Sequence, residues 1–542
     1  MHLSTRGLFV LLGLSLLVAC PTTGGPGDPT PEPTDEPPTP WDGSLFEDVT
    51  EDAGIVIPRD GYGVAAGDID GDGWEDLVYA AWGQNQVLMN NGDGTFRVGT
   101  AEVGLPVPGD SPSPMGVTLG VTLVDHDGDG DLDLFFSNIF ADKVFCNNGG
   151  MFSDCTSGLG DYAVSERASG TASFADFDAD GDLDLFVVGG GEGGGPDDGT
   201  VLYGAPDRLL RNDGASGFTD ITSPIPEELR IGVGFIAGWS DLDHDGDPDI
   251  YVVNDIGNVT PNQLWRNDGP DGSGGWTFTT LTQEECSCQL RESGMGLGIA
   301  DFDRDGWQDL YTSNGARFEG PNPAAEILLR NLGGNSFVDV SLAVGAHAAG
   351  PLDRESSWGL EFLDIDNDGW PDAYVPFGRM GSPEEDAVLM NRGGTFEHMG
   401  GSGASVPDWG LSVAAFDYDR DGCLDLAVNY ATARGRLYRN TCQSGNHWLE
   451  LEFEGVQTNR MGIGVVATAS VNDMTLREEV VMGSTSLYGS RPAIVHFGLG
   501  AATSVPSIEI VWPSGTTQFL TDVPADGRYK LVEGEEKLTQ RW

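Results

Sequence analysis

The sequence predicts an all-β chain: a seven-bladed β-propeller plus a small C-terminal β-sandwich. Three observations carry that prediction. An acidic loop, D-x-D-x-D-G-x-x-D, occurs seven times; a short apolar run follows every copy; and the copies recur at intervals of 51 to 65 residues. Asp68, Asp70, Asp72 and Asp76 form the first loop, and Asp125, Asp127, Asp129 and Asp133 the second. The third has Asp176, Asp178, Asp180 and Asp184, and the fourth Asp241, Asp243, Asp245 and Asp249. Asp301, Asp303, Asp305 and Asp309 form the fifth, and Asp364, Asp366, Asp368 and Asp372 the sixth. Asp417, Asp419, Asp421 and Asp425 complete the set.

Carboxylates at alternate positions of a tight loop supply the six to eight oxygens that a hard cation such as calcium takes. The sixth position is glycine in every copy (Gly73, Gly130, Gly181, Gly246, Gly306, Gly369, Gly422), where the chain must turn sharply. The sequence therefore predicts calcium as the cofactor, up to seven ions, with all 28 aspartates as ligands. The loop is not an EF-hand, because position 12 reads Tyr79, Phe136, Val187, Val252, Thr312, Val375 and Val428, and none is a carboxylate. Runs such as DLVYAAW and DIYVVN follow the loops, rich in β-branched and aromatic residues, so each loop is read as a turn between strands.

A repeat of this length suits a four-stranded propeller blade. Small residues precede each loop (GVAAGD, GLGIAD), fitting a crowded inner strand. A third segment recurs as VLMNNG, LLRNDG or LYRNTC and is read as ending in an Asn/Gly turn. A fourth resembles GFTDIT, but the seventh repeat lacks it; LFEDVT at 45–50 supplies the missing piece. The N-terminal strand is thus expected to complete blade seven and remove the open sheet edge. An up-and-down meander places the acidic and Asn/Gly turns on one face. The longer loops at 189–207, 254–262, 313–326 and 376–386 fall on the other.

The chain has 542 residues, 86 acidic against 27 basic, and a formal charge of −59. That balance argues against nucleic acid or an anionic membrane surface as partner. Residues 1–20 read as a secretory signal, and Leu17-Val18-Ala19-Cys20 resembles a bacterial lipobox that would leave Cys20 lipidated. The expectation is an exported protein held at the bacterial cell envelope through that lipid alone, or secreted. Residues 21–44 are rich in Pro and Thr and read as a disordered tether. The propeller is placed at 45–442 and the β-domain at 443–538. Six further cysteines favour disulfides, by proximity Cys146–Cys155 and Cys423–Cys442, leaving Cys286 with Cys288.

The seven units resemble the FG-GAP repeats of the integrin α-subunit propeller, in their VCBS-like bacterial form. Residues 477–483 (R-E-x-x-x-G), HFGLG at 496–500 and WPSG at 512–515 resemble the ASPIC/UnbV domain. The pair is the layout of the cartilage acidic protein family and its bacterial homologues. The resemblance implies an extracellular location, calcium binding and an adhesion or matrix role, and it implies no reaction.

Catalytic motifs are scarce: the sequence has no G-x-S-x-G, no H-E-x-x-H and no P-loop. His126 and His244 occupy non-ligand positions of their loops, and Arg477, Glu478 and His496 are read as structural hydrogen-bonding residues. The expected function is calcium-stabilised cell-surface adhesion or recognition by a monomer, with no catalytic activity of its own. Its partner is an extracellular protein or glycan. A calcium-dependent lectin, with Trp82, Trp239, Trp265, Trp358 and Trp409 as stacking platforms, is the alternative, and a polysaccharide-active enzyme a further one. The ligand is expected on the face opposite the acidic loops, where Arg317, Arg379 and Arg434 stand out on so acidic a chain.

Overall fold

The computed structural model describes residues 44–542, apart from 58–60, 82–84, 107–117, 165–167, 193–202, 223–224, 226–229, 256–259, 274, 316–325, 348–355, 379–383 and 483–485. The signal segment, Cys20 and most of the tether lie outside that range.

Each acidic loop joins an inner strand to the strand that follows it. In blade one the strands are Gly61–Gly67, Asp76–Ala81, Gln86–Asn90 and Phe96–Val98. Among the described residues seven such four-stranded sheets occur, each paired antiparallel in chain order except the last. There Phe46–Asp48, from the start of the described chain, pairs with Arg436–Asn440 as the outer strand of blade seven. Phe46 is buried, and its N–H donates to Ser402 O of blade six at 2.9 Å. The inner strands pack in a closed ring, with Gly61–Gly67 of blade one against Gly410–Phe416 of blade seven.

The inner strands are short in side chain for a physical reason: the ring crowds them toward its axis. A methyl added at Gly170 would stand 2.6 Å from Phe235 O, and one at Gly296 would stand 2.4 Å from Trp358 O. The second strands are wholly buried between blades, which accounts for their continuous apolar character. Trp239 and Trp265 belong to that core, with 2% and 0% exposure. They are therefore not stacking platforms, and Trp82 lies outside the described residues. Trp358 and Trp409 are half-buried, with ring centroids 5.3 Å apart.

The C-terminal segment forms two four-stranded sheets. One contains Ile494–Gly500, His447–Glu454, Arg528–Val532 and Thr539–Gln540; the other contains Met474–Glu479, Val466–Val471, Ser504–Val511 and Thr517–Pro524. The last strand carries the domain past the expected boundary at 538. Its alternating residues bury Leu449, Leu451, Ala467, Ile508, Ile510 and Trp512 in a core continuous with Phe174 and Leu185 of blade three. Cys146–Cys155, Cys286–Cys288 and Cys423–Cys442 are bonded, with Cα separations of 5.7, 5.1 and 5.9 Å.

The sandwich sits on the acidic-loop face and sends a segment into the propeller axis. Ser490 N donates to Val64 O and Ser490 O accepts from Ala66 N, at 3.2 and 3.1 Å. Tyr488 O accepts from Val121 N at 3.1 Å, and Ser486 Oγ accepts from Val413 N at 3.2 Å. The Tyr488 ring meets Tyr62 and Phe235 edge-on, with centroids 6.5 and 5.9 Å away. Inner-strand amides facing the axis of blades one, two and seven thereby find partners away from water.

Candidate functional site

The seven acidic loops share one wiring. The first aspartate accepts from the glycine N–H five residues on, at 2.6 to 3.2 Å in all seven. Each of those glycines has φ between 84° and 99°, a conformation that side chains strain. The third aspartate accepts from the backbone N–H two residues on, at 2.9 to 3.1 Å. These bonds turn the carboxylates inward. One oxygen each of Asp68, Asp70 and Asp76 lie within 4.8 Å of one another, as do those of Asp125, Asp127 and Asp129.

The fourth aspartate is the most deeply buried, at 0% or 1% exposure in every loop. One of its oxygens accepts from the N–H of an asparagine in the third strand, at 2.6 to 2.8 Å. In six loops the other accepts from the loop's second N–H; in loop four Asn335 Nδ2 takes that place at 3.2 Å. Each oxygen still has a second lone pair for a cation, except Asp133 Oδ2, which also bonds His126 Nδ1.

The asparagines that open the Asn/Gly turns (Asn90, Asn147, Asn212, Asn267, Asn331, Asn391, Asn440) do more than turn the chain: in six of them Oδ1 accepts from an N–H of the turn. Each Nδ2 donates across the blade boundary to the carbonyl at loop position two of the preceding blade, at 2.8 to 3.1 Å. The ring closes this way too, because Asn90 of blade one reaches Tyr418 of blade seven. Their invariance across seven repeats was the available signal.

Three features fit a cation. Oxygen donors converge. Burial, reinforced by neighbouring carboxylates, pushes Asp68 up to about 6 and Asp125, Asp176 and Asp241 up to about 7. Finally, Asp68, Asp125, Asp178, Asp243, Asp366 and Asp419 each keep one buried Oδ1 with no hydrogen-bond partner. A buried carboxylate oxygen left unpaired is costly, and a metal ion is one partner that removes the cost.

The description FG-GAP-like repeat matches residues 68–136, 125–187, 176–252 and 241–312, and ASPIC and UnbV matches 455–538. The chain carries FG-GAP-like repeats and an ASPIC/UnbV domain. It is similar to cartilage acidic protein 1 of Xenopus tropicalis, at 25% identity over 90% of this chain and 76% of that protein. Its likeness to the Mus musculus protein of the same name is 24% identity over 84% and 70%. Among solved structures, an Agrocybe aegerita lectin recognising non-reducing terminal N-acetylglucosamine aligns at 16% identity. That alignment covers 70% of this chain and 92% of that one, with a TM-score of 0.43.

The ASPIC/UnbV domain touches the FG-GAP loops through charged and polar side chains. Arg528 pairs with Glu75, at position eight of loop one, and its Nε lies 2.7 Å from Glu450 Oε2. His496 bridges Glu450 and Asn367, Nε2 lying 2.7 Å from Asn367 Oδ1 in loop six. Glu479 accepts from Ser240 Oγ and Asp241 N at loop four, at 2.6 and 3.3 Å. His496 thus makes the hydrogen bonds expected of it; Glu479 makes those expected of its neighbour Glu478, and Arg477 keeps a buried Nη1 with no hydrogen-bond partner. His126 bonds Asp133 through Nδ1, and His244 stacks on Trp307 at 4.0 Å. Of the three arginines expected on a ligand face, Arg317 and Arg379 fall outside the described residues; Arg434 is exposed between the second and third strands of blade seven. No described helix is long and apolar enough to cross a membrane.

Proposed function

We propose that this chain is an exported recognition or adhesion protein whose propeller is held in shape by calcium in its acidic loops. The observation that carries the reading is the unpaired buried Oδ1 in six of the seven loops. Calcium accepts oxygen donors in flexible geometry, and extracellular modules bind it at about 0.1–1 mM. At ten times the dissociation constant each filled site adds about 1.4 kcal/mol, so seven sites add about 10 kcal/mol, the size of a typical domain's whole stability. The ion's part is structural. The partner is a protein or a glycan held on the face opposite the loops, because the ASPIC/UnbV domain covers the loop face.

Scanning calorimetry in millimolar calcium and in excess chelator tests the reading. A fall of well over ten degrees on chelation is expected, together with protease sensitivity. Asp303→Ala with Asp305→Ala should lower calcium stoichiometry by one. Equal melting temperatures in the two buffers would remove the calcium reading.

A further inference from the structure

Four carboxylates and one divalent ion leave a loop anionic, so any cation nearby competes with or supplements the metal. The third strand decides whether a guanidinium sits on the second and third aspartates; other cations, Arg420 and Arg528 at loop one and His126 at loop two, meet the loops elsewhere. In blade five Arg330 puts Nε 2.6 Å from Asp303 Oδ2 and Nη2 2.8 Å from Asp305 Oδ2. The first of these lies off the N–H axis and is a charge contact, since Nε makes no hydrogen bond. In blade seven Arg439 spans the same two positions, reaching Asp419 at 2.7 Å and Asp421 at 3.0 Å. Blade six has Met390 at that place, but Arg392, two residues on, reaches Asp366 at 2.7 Å and Asp368 at 3.3 Å.

Blades three and four also carry an arginine there, and it goes elsewhere. Arg211 turns to Asp213 at 2.8 Å and Arg266 to Asp268 at 2.6 Å. The difference is one residue. Two positions after the arginine stand Asp213 and Asp268, where blades five and seven have Leu332 and Thr441. Blades one and two have Met89 and the disulfide-bonded Cys146 in place of the arginine, and Asn91 and Asn148 where blade six has Arg392. Among the described residues the four aspartates of loops one to four therefore make no ion pair with a guanidinium, although Arg211 and Arg266 still act on Asp178 and Asp243 through space. Each of the four loops keeps an unpaired buried Oδ1, as Asp366 and Asp419 of loops six and seven do beside their arginines. Loops one and two also line a cleft of about 440 Å³ beneath the ASPIC/UnbV domain, where Arg420, Arg460, Arg528 and Arg541 stand beside them without pairing with their four aspartates.

We propose that the loops form two classes of calcium site: loops one to four bind tightly, while loops five to seven carry a built-in guanidinium counter-ion and bind weakly. The inference rests on the calcium reading above. An ion entering loops five to seven must displace or share the cation on its second and third ligands, and like charges at that range repel strongly. When calcium is withdrawn, those three loops keep their shape and the other four lose theirs.

The test is calcium titration of the full chain against a chromophoric chelator. Four sites should appear at least about tenfold tighter than the remaining three. Arg330→Met, Arg439→Met and Arg392→Asn, which borrow residues from other blades, should each move one site into the tight class. Asp213→Leu and Asp268→Thr should each free an arginine onto its loop and move one site out of that class. The melting temperature of Arg330→Met should fall in chelator and hold or rise in calcium; an arginine with a merely structural part would lower both. Seven equal sites unchanged by these substitutions would overturn the two-class inference and leave calcium binding standing. No calcium bound by any variant would overturn both.

Discussion

Replacing Phe46 with alanine asks whether the ring depends on its closing strand as much as on any other outer strand. Phe46 is 1% exposed and caps blade seven where Phe337 caps blade five at 3%. A buried aromatic side chain removes roughly 150–250 Å² from water, worth about 4–6 kcal/mol at 25 cal/mol/Å². That figure is an upper bound; Phe→Ala changes in cores cost about 3–5 kcal/mol. The backbone bonds of the strand survive the change, among them Val49 N to Leu437 O at 3.0 Å and Thr441 N to Leu45 O at 2.9 Å. Phe46→Ala should therefore destabilise by about 4 kcal/mol, within about 1 kcal/mol of Phe337→Ala. Urea unfolding in millimolar calcium, with hydrogen exchange of the 436–440 amides, measures both. A cost under about 1 kcal/mol for Phe46→Ala, with the full cost for Phe337→Ala, would show that the strand is an appendage.

Three more expectations follow from the geometry. Asp207 is fully enclosed, and burial pushes its carboxyl up to about 8. Its folded value exceeds its unfolded one, so stability falls as pH rises from about 4 to about 8. Asp207→Asn, matching Asn85 and Asn262 in other blades, should remove its share of that slope and add up to about 5 kcal/mol at pH 8; an unchanged pH–stability curve would contradict this. Asn331→Leu strips donors from Leu242 O at 2.9 Å and Gln308 O at 3.1 Å. It should cost about 3 kcal/mol by denaturant midpoint, and a loss below about 0.5 kcal/mol would deny the latch any weight. Gly489→Ala would place a methyl 2.5 Å from Val64 O and 2.6 Å from Ser412 Oγ. Overpacking of about 1–3 kcal/mol should loosen the axial segment and speed protease cleavage there, and an unaltered cleavage rate would count against it.

The parts of this molecule written in local pattern were readable from its sequence. Loop spacing, the glycine at position six, the strand runs, the closing LFEDVT and the cysteine pairs all depend on neighbours within a few residues or on counting repeats. What escaped depends on contacts across blades. An asparagine before a glycine looks like a turn, and only the adjacent blade shows that Asn147 holds Ile69. Arg330 and Arg211 occupy the same strand position, and their different destinations turn on one side chain two residues away. Trp239 and Trp265 are enclosed by Phe177 and Phe186 of the neighbouring blade, which their own repeat does not reveal. The docking of the C-terminal domain on the loop face has no signature within any one repeat.

Seven similar blades would offer an incoming domain seven indistinguishable orientations about the axis. The segment at 486–491 chooses one: it bonds blades one, two and seven and, through Arg491, Phe362 O of blade six, and among the described residues no such bond reaches blades three to five. The sandwich is thereby indexed to the ring like a key in a toothed hub. Each loop acquires its own address: some face the cleft and others lie under the sandwich, although their sequences are nearly the same. A circular permutant that began at another blade would rebuild the ring yet displace the chain's exit from the indexed seat. Sevenfold repetition in the sequence therefore ends in a molecule with no rotational equivalence at all.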